Sequence, residues 1–297
     1  MSVLEALKAA CPTVRPNEPL SKHTSFSIGG PAEYYADVNT LNELIGIRRA
    51  VTQHKLPYFF LGAGSNLLVA DRGMRGLVLH LQGDFRKLEI SDTKVIAYAG
   101  AWMPTLAKQA ADRGLAGAES LIGVPGTIGG GLVMNAGTRD GVLGDLVESI
   151  DALDEDGNMR TRPASELGFV YRHSSLQGAW IVRAALRLKA EDRTSIMARV
   201  DSYLQYRSRT QPLATSNCGS VFKNPPGAAA AQLIEKAGFK GKSVGGARVS
   251  DRHANFIINE NQAKASDVRE LITQIQSSVL EQFGVQLEPE VKLVGDW

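Results

Sequence analysis

Eight of the 24 residues from Gly114 to Gly137 are glycine, against 30 in all 297. Glycine loses more backbone entropy on folding than any other residue, so this density demands left-handed conformations or very close main-chain approach. Ser120, Thr127 and Asn135 interrupt the run, and the pairs Leu121-Ile122 and Leu132-Val133 anchor it. A flexible linker would be richer in serine and would lack the apolar anchors. The segment reads as an ordered backbone wall whose N–H groups face a phosphate or a flat cofactor.

A second glycine turn, Gly62-Ala-Gly64-Ser65-Asn66, follows the apolar run Tyr58–Leu61. A strand entering such a turn is a common ligand position in α/β sheets. The spacing does not continue as a dinucleotide fingerprint, so the turn is weak alone and gains force from the wall. The length suits two or three packed units. A net charge of +2 gives no argument for nucleic acid or an anionic membrane surface. No apolar run approaches about 18 residues, and the first residues lack the apolar core of a secretory signal. Two cysteines, Cys11 and Cys218, make no disulfide framework, and no Cys/His spacing fits a metal. A reducing cytoplasm is the expected compartment.

Strands are expected at 33–38, 58–61, 77–81, 88–90, 95–98, 149–153 and 180–188. Thr40-Leu-Asn-Glu43 is a capping box for a helix with Leu41, Leu44, Ile45 and Val51 on one stripe. Arg48 shares that stripe, laying its stem along the core edge with its charge in water. Helices are expected over 104–113, along the stripe Ile196, Val200, Tyr203 and Leu204, and over 228–237. A last helix has Ser266 as N-cap, Val268, Leu271, Ile272, Ile275, Val279 and Phe283 at helical spacing, and Gly284 as its stop. A strand pair around 242–258 precedes it, and 285–294 alternates as a strand. There Leu287, Val291 and Leu293 face the core, with Glu288, Glu290 and Lys292 opposite.

Several motifs carry chemistry, each with a plainer alternative. Tyr171-Arg172 is either an exposed strand end or a guanidinium that holds a carboxylate by two parallel hydrogen bonds. Cys218-Gly219-Ser220 is a tight turn presenting a hydroxyl, without the frame of a hydrolase elbow. Glu288 and Glu290 border either solvent or a cleft. His253 is a structural histidine or a ligand contact. Gly238-Phe-Lys-Gly241-Lys-Ser243 imitates a P-loop but has Lys236 where the first glycine belongs, which excludes an ATPase.

Taken in order, Gly29-Gly-Pro-Ala32, Leu61-Gly-Ala-Gly-Ser-Asn-Leu-Leu68, Gly123-Val-Pro-Gly-Thr-Ile-Gly-Gly130, Asn135-Ala-Gly137, Tyr171-Arg172, Gly219-Ser-Val-Phe-Lys-Asn-Pro225, Gly245-Gly-Ala, His253-Ala-Asn-Phe-Ile257 and Glu288-Pro-Glu-Val291 resemble the UDP-N-acetylenolpyruvoylglucosamine reductase family. The resemblance runs from about Asn17 to the end. It implies an α+β, PCMH-type (vanillyl-alcohol-oxidase-like) fold, with two FAD-binding subdomains, 1–82 and 83–200, and a C-terminal α+β substrate domain, 201–284. The strand at about 285–297 would return to the first subdomain.

The same resemblance implies non-covalent FAD, NADPH as co-substrate and a nucleotide-sugar substrate, in a monomer with no membrane or nucleic-acid partner and no metal. Gly62, Ala63, Gly64, Ser65, Asn66 and Leu67 would meet the pyrophosphate. Gly123, Pro125, Gly126, Thr127, Gly129, Gly130, Asn135, Ala136 and Gly137 would line the flavin. Arg172, Ser220 and Glu290 would be catalytic: Ser220 as proton donor, the other two holding charge on the substrate carboxylate. Tyr171, Arg209, Gln211, Asn224, His253 and Asn255 would bind substrate. The interval between Arg172 and Ser220 is too short for a substrate-capping tyrosine loop, so the chain resembles the shorter type. A related FAD-dependent alcohol oxidase and a non-catalytic nucleotide-sugar-binding module are the alternatives.

Overall fold

The computed structural model describes residues 2–297 and divides into two compact units. The first comprises the chain up to Pro16, Tyr34–Ala63 and Gly76–Tyr206; the second comprises Asn17–Glu33, Gly64–Arg75 and Arg207–Trp297.

In the first unit a five-stranded antiparallel sheet runs in the order Met159–Pro163, Val147–Leu153, Trp180–Arg187, Lys94–Tyr98, Leu88–Ser91. A four-stranded sheet has the order Arg15–Pro19, Pro31–Val38, Met74–Leu81, Tyr58–Leu61, the last two strands parallel. The expected capping box forms: Glu43 N–H donates to Thr40 Oγ1 at 3.3 Å, and Glu43 Oε2 accepts the Thr40 N–H at 3.3 Å. Helix Leu41–His54 follows and buries Leu44, Ile47, Ala50 and Val51, whereas Leu41 at its first turn stays exposed. Its Arg48 lies 5.0 Å over the ring of buried Trp180 and donates to the Asp154 carbonyl, so its charge rests on an aromatic face rather than in water. Tyr58 and Phe60 pack on the same indole, each with ring centroids 5.0 Å away.

Helix Val3–Ala10 was not expected. It has its own capping box from Ser2 and Glu5, a signal legible in Ser2-x-x-Glu5. Helix Arg193–Thr210 buries Ile196 and Val200 but leaves Leu204 exposed.

The second unit holds a three-stranded antiparallel sheet, Ser243–Val244, Ala247–Val249 and Ile257–Asn259, with helices Ala230–Lys236 and Ala265–Phe283. Phe26, Leu68, Phe222, Ile234, Leu271, Ile275, Leu287 and Val291 form its core. Ser266 is not the N-cap of the long helix. Lys264 stands there, and the Asp71 carboxylate accepts the N–H groups of Ala265 at 2.7 Å and Ser266 at 3.0 Å. A carboxylate at a helix N-terminus meets both its free donors and its positive dipole end. Phe283, in the last turn, is exposed.

Of the alternating C-terminal segment, only Lys292–Val294 forms a strand, parallel to Leu67–Val69. Leu287 and Val291 face the core as expected, but Leu293 is 38% exposed because a two-stranded pair leaves it partly uncovered. Among the described residues no helix is long and apolar enough to cross a membrane.

Candidate active site

In the first unit the glycine wall contains a short helix, Ile128–Met134, which its three glycines hide from a reading by propensity. Thr127 caps it, its Oγ1 accepting the Gly130 N–H at 3.3 Å. Ile128 and Gly129 donate to the carbonyls of Ala101 and Ala99, each at 2.8 Å. The first-turn N–H groups are thus taken up by the protein rather than left open for a phosphate. The glycines serve close approach instead. A Cβ at Gly131 would sit 2.6 Å from Met103 Sδ, and one at Gly129 would sit 3.1 Å from the Ala99 carbonyl. Gly130 differs, being exposed, with only Thr127 Oγ1 near a Cβ built there. Gly123, Pro125 and Gly126 lead into this helix, with Pro125 exposed and the Gly126 carbonyl accepting Met103 N–H at 3.0 Å.

The wall ends on Asn135, buried and left-handed at φ +43°. Its Oδ1 accepts the Gly144 N–H at 3.0 Å and its Nδ2 donates to the Val170 carbonyl at 3.0 Å. Both ends of that amide are therefore committed to main chain. Val170 and His173 close a tight turn by reciprocal hydrogen bonds, with exposed Tyr171 and half-buried Arg172 at its tip. Arg172 holds φ +56°, a conformation costly for a residue with a Cβ. Its Nη2 donates to the Gly137 carbonyl at 2.9 Å, and its guanidinium lies 5.0 Å over the Tyr171 ring. The structure therefore brings Asn135, Ala136 and Gly137 together with Tyr171 and Arg172. At the other glycine turn, a Cβ on Gly62 would meet Thr127 Oγ1 at 2.6 Å, so the two side-chain-free loops touch.

The second unit gathers the rest. Gly64, at φ +61°, carries its carbonyl to the Ser25 N–H at 3.2 Å. Ser25 Oγ also donates to the Asn217 carbonyl at 2.7 Å, and Asn217 Oδ1 accepts the Gly219 N–H at 2.9 Å. Ser220 follows directly, half-buried. The segments around Ser220 and Glu290 pair: Glu290 N–H donates to the Val221 carbonyl at 2.8 Å, and Phe222 bridges Pro289 antiparallel. Glu290 is half-buried, whereas Glu288 is exposed and ion-paired to Lys223. Asn66 Nδ2 donates to the Glu290 carbonyl at 3.1 Å, and Lys292 N–H donates to the Asn66 carbonyl at 3.0 Å. Burial, joined by the Glu290 charge, pushes the neighbouring Cys218 thiol up to about 12, so it stays protonated.

The remaining expected substrate residues are spread over this unit. Asn255 is buried and spans Phe222, accepting its N–H at 2.9 Å and donating to its carbonyl at 2.8 Å. Asn224 Oδ1 accepts the Ala230 N–H at 3.0 Å, starting the short helix. His253, edge-on to Phe256, accepts the Asn255 N–H, and burial lowers its pKa and keeps it neutral. Gln211 Oε1 accepts from Arg207 Nε at 2.8 Å, and Arg209 is exposed nearby. Ser25 and Asn217 do not stand out in the sequence. Asn217 two residues before Gly219 carries an Asx-turn signal, but nothing local marks Ser25, which lies 192 residues from its partner.

Two family models match: an FAD binding domain over residues 32–162 and the UDP-N-acetylenolpyruvoylglucosamine reductase C-terminal domain over residues 211–294. Among curated relatives, UDP-N-acetylenolpyruvoylglucosamine reductase 2 of Symbiobacterium thermophilum is 45% identical over 95% of this chain and 92% of its own length. The Moorella thermoacetica reductase is 45% identical over 94% of this chain and 93% of its own. The chain belongs to the UDP-N-acetylenolpyruvoylglucosamine reductase family. A solved reductase of this family, MurB from Thermus caldophilus, superposes with a TM-score of 0.81 at 38% identity, covering 94% of this chain and 97% of that one. The fold is accordingly α+β, of the PCMH FAD-binding type.

The residues present fit FAD. The loops meet at Gly62 and Thr127, and beside them Gly130 is exposed and presents bare backbone. A flat ring system can approach such a surface more closely than it can one lined by side chains.

Proposed function

We propose that this protein is an FAD-containing oxidoreductase that reduces UDP-N-acetylglucosamine enolpyruvate to UDP-N-acetylmuramate with NADPH, supplying peptidoglycan precursor synthesis. The observation that carries the reading is the pairing of the Ser220 and Glu290 segments in one unit, with Asn66 of the glycine loop hydrogen-bonded to the same strand. When bound, FAD supplies hydride transfer from NADPH to the distal carbon of the enolpyruvyl double bond. Ser220 Oγ donates the proton that completes the adjacent carbon. Arg172 by its positive charge, and Glu290 by donating a hydrogen bond from its neutral acid form, stabilise the negative charge that moves onto the substrate carboxylate.

Pre-ordering is what this chain adds. The Ser220 turn is fixed by Asn217 and Ser25, and the Arg172 turn is held by Asn135 and Gly137. A group fixed before substrate arrives spends little energy reorganising in the transition state. Asn224, His253, Asn255 and Tyr171 shape the substrate's surroundings, and Arg209 and Gln211 face the diphosphate. Arg207 joins them: burial depresses its pKa, and among the described residues no carboxylate pairs with it. The three-part division at residues 82 and 200, a monomeric state and a cytoplasmic location belong to the same proposal.

The test is a flavin spectrum followed by two additions. The purified protein should show flavin absorbance, lose it with NADPH under anaerobic conditions, and regain it with the enolpyruvyl nucleotide sugar. Protein that takes up no FAD would overturn every flavoenzyme reading. Reduced flavin that ignores the enolpyruvyl compound but is regained with oxygen alone would favour an oxidase.

A further inference from the structure

Asn66 lies in the glycine loop expected to meet the cofactor, yet its side-chain amide is bonded to protein main chain. Its Nδ2 donates to the Glu290 carbonyl at 3.1 Å, while its own carbonyl receives the Lys292 N–H at 3.0 Å. The two contacts bracket Val291, which is buried, and they meet a strand that pairs in register, Leu67 with Lys292. Glu290 is held on its other side by its N–H donating to the Val221 carbonyl, one residue beyond Ser220. The main chain of Glu290 is therefore fixed from both neighbours at once. One neighbour is the cofactor loop and the other is the serine segment.

We propose that Asn66 is a positioning residue for Glu290: its amide sets where that carboxylate stands, while only its main chain serves the cofactor loop. The inference rests on the functional reading above. A carboxyl group whose hydrogen bond stabilises transition-state charge loses effect when displaced by a fraction of an ångström, whereas hydride delivery from NADPH does not involve it. Asn66 thus acts on the substrate half of the reaction from within the cofactor loop.

The test uses the flavin-loaded protein with Asn66→Ala and with Asn66→Asp, which keeps the shape but replaces the donor by an acceptor. Flavin content, deuterium uptake of the peptide covering residues 288–293, and stopped-flow rates of both half-reactions are read. Both variants should retain flavin and accelerate exchange over that peptide. Flavin reduction by NADPH should stay within about twofold, while reoxidation by the enolpyruvyl substrate slows about tenfold, the rate equivalent of one hydrogen bond. In a Glu290→Ala background, Asn66→Ala should add no further slowing, since the group it positions is already gone.

Loss of flavin in the Asn66→Asp protein, equal slowing of both half-reactions, unchanged exchange, or a full additional penalty in the Glu290→Ala background would each overturn the assignment. Unaltered protein that binds no flavin, or is not reoxidised by the enolpyruvyl substrate, would instead sink the functional reading and this inference with it.

Discussion

Asn255 grips Phe222 at both ends of its amide, Oδ1 accepting the N–H at 2.9 Å and Nδ2 donating to the carbonyl at 2.8 Å, with all partners buried. Its own carbonyl accepts the Val221 N–H at 2.8 Å. A side chain here replaces a neighbouring strand and fixes the main chain just after Ser220. Asn255→Leu leaves a donor and an acceptor of Phe222 without partners inside the unit, at a cost of about 2 to 4 kcal/mol. Urea unfolding should show a lower midpoint at unchanged slope. A midpoint like the parent's would mean that Phe222 finds other partners.

Ser220→Ala should leave flavin reduction by NADPH nearly intact and slow reoxidation by the enolpyruvyl substrate by about a hundredfold or more, the usual scale of proton-transfer assistance. Glu290→Ala should divide the two half-reactions in the same sense. Glu288→Ala should do far less, because that carboxylate is exposed and occupied by Lys223. Stopped-flow absorbance separates the steps. If Glu288 proved the more damaging site, the wrong carboxylate has been assigned.

Gly62→Ala places a methyl group 2.6 Å from Thr127 Oγ1, which must rotate away and release the Gly130 N–H it caps. Loss of that cap costs about 1 kcal/mol, and the distorted loop should hold less flavin. Adding Thr127→Ala removes the clashing atom and leaves the Thr127 Cβ position 3.7 Å away. The double variant should then be no less stable than Gly62→Ala alone and should recover flavin. Strictly additive losses in thermal unfolding and flavin content would show that the two loops act independently.

Asp37 gives the fold an acid-sensitive element. Burial pushes its carboxyl up, but the Arg15 guanidinium at 3.0 Å and His80 Nδ1 at 3.0 Å, with their charges, more than offset this and hold it below the ordinary value. A depressed folded pKa means the unfolded chain takes up the proton first as pH falls. The stabilisation is complete above the unfolded value of about 3.9 and is lost as pH drops through the folded one. Asp37→Asn should therefore flatten the stability profile on the acid side while lowering stability near neutrality. Urea midpoints from about pH 3 to 7 read this directly. A variant profile running parallel to the parent's would remove Asp37 from the acid response.

Short-range features are legible in the order of residues alone. The Thr40–Glu43 box, the strand Tyr58–Leu61 and the stop at Gly284 each depend on residues within a few positions of one another. Where local rules fail, a distant partner has intervened. Ser266 is a good cap by type, yet Asp71 supplies the cap from 194 residues away. The helix Ile128–Met134 contradicts its own glycine content because Met103 and Ala99 need the room. Leu41, Leu204, Phe283 and Leu293 follow the apolar period and remain exposed, since a period gives a face but not whether anything covers it.

The family and its chemistry are legible in the order of residues alone, because ordered motifs of glycine, hydroxyl, guanidinium and carboxylate survive without their coordinates. The partner of each amide, by contrast, was set only by folding. Asn66, Asn135 and Asn255 look like ligand contacts in the sequence, and each turns its side chain onto the main chain of a segment carrying Glu290, Arg172 or Ser220. The reason is that an amide donates and accepts in any direction, so its partner is set by which segments folding brings alongside it, and no residue spacing encodes that.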